Sequence, residues 1–140
     1  MYRSCSPLAR TGRGRYALCA ESMTAGMGNV TFTRSVRVET ASYQLPRPRS
    51  VYGQPTAVFL CAHACERFER PNTIADIVNN RLVSFRAFRH DGMMIYDANR
   101  IGEGGNYDPI VRMMFGRNDV AYINAHTAKA GCMLCQIERA

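Results

Sequence analysis

The sequence predicts a mainly β fold, a sandwich or a barrel, with one short helix. Short apolar runs recur at intervals of about ten residues in the second half of the chain, separated by turn residues, which is typical of sandwiches and barrels. Within several runs, apolar and polar residues alternate, so that one face of each strand would face a core and the other would face water. Only one segment has apolar residues that predict a helix convincingly.

Several strands are predicted along the chain. Apolar residues of one parity predict a first strand over residues 30–38, and a continuous apolar run predicts a buried strand over 57–64. Prolines mark the connection at 45–55 as irregular. The remaining apolar runs predict strands at 83–87, 94–96, 111–115, 120–125 and 132–137. Asp91 and Gly92 form a turn signal between two of these runs.

The one predicted helix covers residues 74–82. Its apolar residues Ile74, Ile77, Val78 and Leu82 recur at the spacing of one helix face. An asparagine and a threonine directly before it are candidate caps, because their side chains can accept hydrogen bonds from free backbone N–H groups. No other segment shows this periodicity as clearly.

The chain is long enough for one domain preceded by an irregular arm. Residues 1–28 contain four arginines but no acidic residue among the first twenty, and Pro7, Gly12 and Gly14 interrupt them. This composition predicts a basic N-terminal arm over 1–28 and a single β-rich domain over 29–140. No apolar run approaches the ~20 residues that a spanning helix needs. No apolar segment of a secretory signal follows the first charges.

The positive charge of the chain has two interpretations. The formal net charge is +7, and 17 of the 18 basic residues are arginine, with Lys129 the only lysine. Guanidinium groups pair bidentately with phosphate and carboxylate, so an arginine-rich surface could bind a polyanion. The arginines are spread from Arg3 to Arg139, however, whereas a nucleic-acid footprint is usually concentrated on one face. The other interpretation is codon bias, because a GC-rich reading frame enriches arginine without any functional demand.

Three motifs occur in order in the second half of the chain. The run Val-Ser-Phe-Arg-Ala-Phe at 83–88 is followed by Ile-Tyr-Asp at 95–97 and Glu-Gly-Gly-Asn-Tyr-Asp-Pro at 103–109. Tyr122 comes thirteen residues after the proline. Together these motifs make residues 81–140 resemble the first half of the globular head of complement component 1q, a domain found in many secreted trimeric proteins.

This resemblance implies a jelly-roll-like β-sandwich. Because the chain ends about halfway through such a domain, the jelly roll would be incomplete unless residues 29–65 supply the missing strands. Open strand edges invite pairing with other chains, so a homo-oligomer is expected, with a trimer favoured. The resemblance also implies secretion, although no signal peptide is visible, and it is compatible with bound calcium. The candidate binding residues for a protein or cell-surface ligand are Glu103, Asn106, Tyr107 and Asp108.

Six cysteines leave the redox state of the chain open. Cys61, Cys65, Cys132 and Cys135 form two closely spaced pairs that could supply the four sulfurs of a tetrahedral zinc site. Two apolar residues separate the second pair, however, and on a strand its cysteines would point to opposite faces. Disulfides are natural for an even number of cysteines in a secreted chain. Buried free thiols are a third interpretation, because cysteine packs like a small apolar residue.

No catalytic machinery is recognisable in the sequence. His63, His90 and His126 are scattered, and no serine or cysteine occurs in a nucleophile context with a histidine and an orienting acid. We therefore predict a non-catalytic binding module that needs no cofactor. The alternative is a basic intracellular protein that binds nucleic acid, with a Cys/His zinc site. Asn29 begins a glycosylation sequon, which matters only if the chain is secreted.

Overall fold

The structure is a computed structural model that describes residues 2–6, 38–43, 50–61, 70–75, 78–79 and 81–139. The described elements are seven strands, one α-helix and one short 3-10 helix. The strands are β1 (Tyr2–Ser6), β2 (Val38–Tyr43), β3 (Thr56–Cys61), β4 (Leu82–Phe88), β5 (Arg100–Glu103), β6 (Tyr122–Thr127) and β7 (Met133–Arg139). Helix α1 covers Asp108–Phe115, and the 3-10 helix covers Tyr96–Ala98. No helix within these residues is long and apolar enough to cross a membrane.

All the described strands belong to one sheet. Their order is β2-β3-β7-β6-β4-β5, and β1 also pairs with β7. Strands β5, β4, β6 and β7 are successive antiparallel neighbours. On the other side of β7, β3 makes a parallel contact at Met133, while β1 pairs antiparallel with residues from Gln136 to Arg139. Strands β1 and β3 therefore contact different parts of the same edge of β7.

The alternation of residues in β4 explains which face of the sheet is buried. Val83, Phe85 and Ala87 are completely buried, whereas the residues between them are only half-buried. In the antiparallel register, Phe85 lies opposite Ala125 and Ala87 lies opposite Ile123. Apolar side chains of neighbouring strands therefore meet on one face of the sheet, which we call the core face.

Helix α1 contributes its apolar side to the same core. Val111, Met114 and Phe115 are buried at the spacing of one helix side, and they cluster with the buried strand residues. Ile74 and Val78, from the segment before β4, are buried in this cluster as well. In the described residues, the core thus lies between the sheet and a layer made by α1 and the segment before β4.

The described residues of the segment 74–82 are not helical, in contrast to the predicted helix. In its described part, residues 74–75 are irregular, residues 78–79 form a turn and Leu82 already begins β4. A tertiary hydrogen bond fixes its start, because the backbone N–H of Ile74 donates to Asp108 Oδ1, 3.2 Å away. Ile74 is buried, as its position in the apolar pattern requires. In the described residues, this apolar pattern therefore belongs to an irregular start and a turn.

The helix forms instead where the sequence predicts a strand at 111–115, and that strand prediction is wrong. Pro109 lies in the first turn of α1, where its fixed φ suits a helix and its missing N–H costs no intrahelical hydrogen bond. The spacing of Val111, Met114 and Phe115 is also helical. This pattern outweighs the continuous apolar character of the run, which by itself does not distinguish a buried strand from a helix.

The prediction of a mainly β protein with one short helix is confirmed. Strands β3, β4, β6 and β7 overlap predicted strands, although the apolar run at 94–96 contributes only a single bridge, between Met94 and Phe88. Tyr2–Ser6 forms β1, so the start of the segment predicted as an irregular arm is paired in the sheet. Residues 30–37 of the first predicted strand lie outside the described residues.

Candidate functional site

The face of the sheet opposite the core carries polar side chains in register. Arg86 of β4 lies opposite Asn124 of β6, which in turn lies opposite Gln136 of β7. His126 is two residues beyond Asn124 and pairs with Met133. Residues of one parity share a face of a strand, so strand pairing brings these side chains together. We call this side of the sheet the outer face.

A groove of about 260 Å³ opens on the outer face. Its floor consists of side chains from three neighbouring strands: Arg86, Asn124, His126 and Met133. The rest of the described lining comes from Phe88, Met94, Gly131 and the loop before β3, which contributes Tyr52, Gln54 and Pro55. Because β4, β6 and β7 are hydrogen-bonded to one another, backbone pairing fixes the spacing of the floor side chains.

His126 is neutral in the groove and presents one acceptor nitrogen. The residue is 6% exposed, and its Nδ1 lies 2.9 Å from the carbonyl oxygen of Gly131. Since a carbonyl only accepts hydrogen bonds, Nδ1 carries the proton and Nε2 carries a lone pair. Burial lowers the pKa of His126 to about 4; the carbonyl of Gly131 opposes this shift, and the charge of Arg86 adds to it.

Two side-chain nitrogens of β6 have no hydrogen-bond partner among the described residues. One is His126 Nε2, and the other is Nδ2 of Asn124, whose Oδ1 accepts a hydrogen bond from Gln136 Nε2 at 3.2 Å. No side-chain nitrogen or oxygen in the described part of the chain is both fully buried and without a partner. Both nitrogens therefore remain accessible at the groove, one as an acceptor and the other as a donor.

Arg86 supplies the positive charge of the groove. It is half-buried, and within the part of the chain that the structure describes it makes no hydrogen bond or ion pair. Arg117, by contrast, forms ion pairs with Asp97 and Asp119 at 2.5 and 2.8 Å. The five N–H donors of the Arg86 guanidinium are thus available to a ligand.

Aromatic rings form one wall of the groove. Phe88 stacks on Tyr122 with ring centroids 5.0 Å apart, and Tyr52 meets Phe88 edge-on at 6.3 Å. The hydroxyl of Tyr52 lies 2.5 Å from that of Tyr96, and this hydrogen bond raises the pKa of Tyr52 above its usual value. The wall is therefore uncharged near neutral pH, and its ring faces and edges suit a planar apolar group.

The described lining of the groove offers directional recognition groups. It contains one neutral base and one cation, and none of the described lining residues is a carboxylate, serine or cysteine. A guanidinium, an amide donor and an imidazole acceptor lie beside an apolar wall, and such a combination of a few polar groups with apolar surface is typical of ligand sites.

The predicted binding residues Glu103, Asn106, Tyr107 and Asp108 lie between β5 and the start of α1, and none of them lines the groove. Tyr107 is 2% exposed, and its hydroxyl donates to the carbonyl oxygen of Arg81. Asp108 accepts from the N–H of Ile74. Tyr107 and Asp108 therefore connect segments of the fold, whereas a binding role for the exposed Glu103 and Asn106 stays a prediction.

The four cysteines of the zinc hypothesis have different environments. Cys135 is fully buried and disulfide-bonded, so its sulfur is not a thiolate ligand in this structure. Cys132 is a half-buried free thiol just before β7. The side chain of Cys61, together with Cys65 and Asn29, lies outside the description. Within the described residues, no three metal-binding side chains come together.

The sequence did not single out Arg86, Asn124 and His126 as a site. A signal was present, because Asn124 and His126 are polar residues of one parity inside a mainly apolar run, and buried polar residues are more informative than exposed apolar ones. Their position beside Arg86 depends on the register between β4 and β6. A shift of one residue would turn either strand over, and the sequence of one strand does not state its register against another.

A family model matches most of the chain. It is described as protein of unknown function (DUF1203), and it matches residues 34–139. No curated protein and no solved structure matches the chain. The resemblance of residues 81–140 to complement globular heads is therefore wrong, since the matched family includes this region and extends well before it. The expectations of a trimer, of calcium and of secretion rested on that resemblance and lose its support.

Proposed function

We propose that this chain, which belongs to the DUF1203 family, is a non-catalytic binding module that takes a small organic anion in its outer-face groove. Arg86 is the observation that carries the proposal. A guanidinium stays ionised in proteins, His126 beside it is neutral, and none of the described lining residues is a carboxylate. An anion that enters would give this charge the partner that the described residues do not provide.

The binding free energy gained when an anion pairs with Arg86 depends on the partial burial of this side chain. A charge that is partly removed from water without a counter-charge is unfavourable. A carboxylate matches the planar fork of a guanidinium and can pair with it bidentately. Asn124 Nδ2, on the neighbouring strand, offers an additional N–H donor. These groups favour a carboxylate over a spherical ion that cannot use the fork.

The volume of the groove sets the size of the ligand. About 260 Å³ is just below the ~300 Å³ at the lower end of typical ligand pockets. This volume suits a small organic acid rather than a polymer. Because the floor side chains come from paired strands, they are positioned before the ligand arrives, and binding requires little ordering of the site.

Thermal unfolding and calorimetry with a panel of small carboxylates test this proposal. Each acid is added up to ~10 mM, about ten times the Kd of 1 mM that corresponds to a binding free energy near −4 kcal/mol. We expect at least one acid to raise the Tm saturably in the wild-type protein, at constant ionic strength.

Arg86→Gln and Arg89→Gln are the matched variants for this experiment. Both remove one positive charge near the same end of β4, but Arg89 is exposed and does not line the groove. The proposal expects saturable binding to disappear in Arg86→Gln and to persist in Arg89→Gln. Absence of binding to the wild-type protein, or equal binding by Arg86→Gln, would overturn it.

A further inference from the structure

We propose, resting on the function above, that the ligand is an aromatic acid that carries a hydrogen-bond donor away from its carboxylate, such as a hydroxybenzoate. The geometry assigns the carboxylate to Arg86, the donor to His126 and the ring to the wall formed by Tyr52 and Phe88. The inference follows from the tautomer of His126, the positions of the polar groups on the sheet and the aromatic lining.

His126 selects for a donor because its accessible nitrogen can only accept. Nδ1–H is bound to the carbonyl of Gly131, so the neutral ring offers Nε2 as a lone pair to the groove. A carboxylate oxygen placed there would be repelled, because its lone pairs would face the lone pair of Nε2. A hydroxyl or an N–H would instead form a hydrogen bond. The anion and the donor must therefore be two different groups of one ligand.

The positions of Arg86 and His126 separate these two ligand groups. Arg86 pairs directly with Asn124, and His126 is two residues further along β6, so Arg86 and His126 are diagonal neighbours. The Cα atoms of diagonal positions on adjacent antiparallel strands lie roughly 7–8 Å apart. An acid with its hydroxyl on the adjacent carbon would hold the two groups too close together. A ring that carries them in the meta or para relation provides a larger separation.

The remaining lining fits a planar ring between these two groups. Tyr52 is half-buried and held edge-to-face against Phe88 at 6.3 Å, so its ring keeps surface for the offset and edge-on contacts that aromatic rings prefer. Met94 and Met133 add polarisable thioethers, which also contact aromatic rings favourably. An aliphatic acid would lose these ring contacts while keeping the pairing with Arg86.

Calorimetric titration with benzoate, 3-hydroxybenzoate and 4-hydroxybenzoate tests the inference. We expect one hydroxy isomer to bind the wild-type protein about tenfold more tightly than benzoate, as one net hydrogen bond provides. In His126→Phe, benzoate and the preferred hydroxy isomer should bind with equal affinity, because the acceptor is gone while the charge of Arg86 remains. Arg86→Gln should lose affinity for all three acids.

The corresponding methoxybenzoates provide a control that needs no variant. A methoxy group keeps the oxygen but cannot donate, so it should lose the tenfold advantage in the wild-type protein even if His126→Phe does not fold. Benzoate binding as tightly as both hydroxy isomers, or an advantage that survives in the methoxy compound, would overturn the inference and leave the proposed function standing. If none of the acids binds in an Arg86-dependent way, the proposed function itself fails for aromatic acids, and so does the inference.

Discussion

The ring of His126 is hydrogen-bonded to the loop that follows its own strand, with Nδ1 2.9 Å from the carbonyl oxygen of Gly131. Gly131 has a φ of 74°, in the left-handed region that glycine adopts without strain. Its N–H donates to the carbonyl oxygen of Thr127 at 2.9 Å, which closes the loop between β6 and β7. This loop therefore determines which imidazole nitrogen carries the proton and which one is accessible in the groove.

The stability of the protein should fall as His126 is protonated. Its pKa is about 4 in the folded protein, below the 6.5 of an unburied histidine. The unfolded chain therefore binds the proton first, and the stabilising effect of the neutral ring, complete above pH 6.5, is lost as the pH falls towards 4. The loss is of the order of 3 kcal/mol in the free energy of unfolding. Urea unfolding at several pH values across this window measures it.

His126→Phe is the comparison for this experiment. The carboxyl groups of Asp97 and Asp119 also affect acid stability, because hydrogen bonds from Arg117 lower their pKa values. They are present in both proteins, so their contribution cancels when the variant is subtracted from the wild type. The difference in pH dependence between the two proteins is then the contribution of His126, which the wild type has and His126→Phe lacks. An identical slope in the two proteins across the window would contradict the neutral state of His126.

Any residue larger than glycine should destabilise the protein at Gly102, because the ring of Tyr107 occupies the space where a Cβ would lie. A Cβ built on Gly102 would be 2.7 Å from Cζ of Tyr107. The ring has little room to move, since it also packs edge-on against Phe85 at 5.2 Å. We expect Gly102→Ala to lower the free energy of unfolding by about 1–3 kcal/mol.

A double-mutant cycle separates this clash from other effects of the alanine. In a Tyr107→Leu background, the smaller side chain leaves room, so the additional cost of Gly102→Ala should be clearly smaller. Chemical denaturation of the four proteins provides the comparison. If the alanine costs the same in both backgrounds, the close approach of Tyr107 is not the cause.

Arg139 should stabilise the end of α1 from the last strand. Its Nε donates to Val120 O at 3.0 Å, and its Nη2 donates to Phe115 O at 2.7 Å, with the guanidinium 5.1 Å from the Phe115 ring centroid. Arg139→Lys keeps the charge but loses the fork, so the free energy of unfolding should fall by about 1–2 kcal/mol. The exposed Arg89 provides a control as Arg89→Lys, which should have little effect. Equal losses in the two variants would show that the fork contributes nothing specific.

Cys132 and Cys135 should differ in their reactivity. In the native protein without reductant, iodoacetamide should modify the half-buried thiol of Cys132 and leave the disulfide-bonded Cys135 unmodified. Peptide mass spectrometry detects the difference. Reductant should lower the free energy of unfolding by about 2–4 kcal/mol.

Two serine variants show whether Cys132 or Cys135 is responsible for this loss of stability. Cys132→Ser should keep the sensitivity to reductant, whereas Cys135→Ser should be destabilised already and should no longer respond to reductant. Modification of Cys135 in the native, unreduced protein would contradict the disulfide.

The sequence by itself determined the β character of the chain and the burial of its best patterned strand. Val83, Phe85 and Ala87 are buried where the alternation predicted, and Arg86 faces the other side. This succeeds because a period of two residues is a local property of an extended chain. In the described residues the choice of helix failed, because Ile74 and Val111 both begin apolar patterns that are compatible with a buried helix.

Only the tertiary structure decided between these two segments and assembled the groove. The N–H of Ile74 bonds the side chain of Asp108, a residue far along the chain, and α1 begins at that aspartate. The proximity of Arg86 to His126 depends on strand register, and the pKa of His126 depends on its burial. Register and burial arise from contacts between distant residues, which the periodicity of a single segment does not contain.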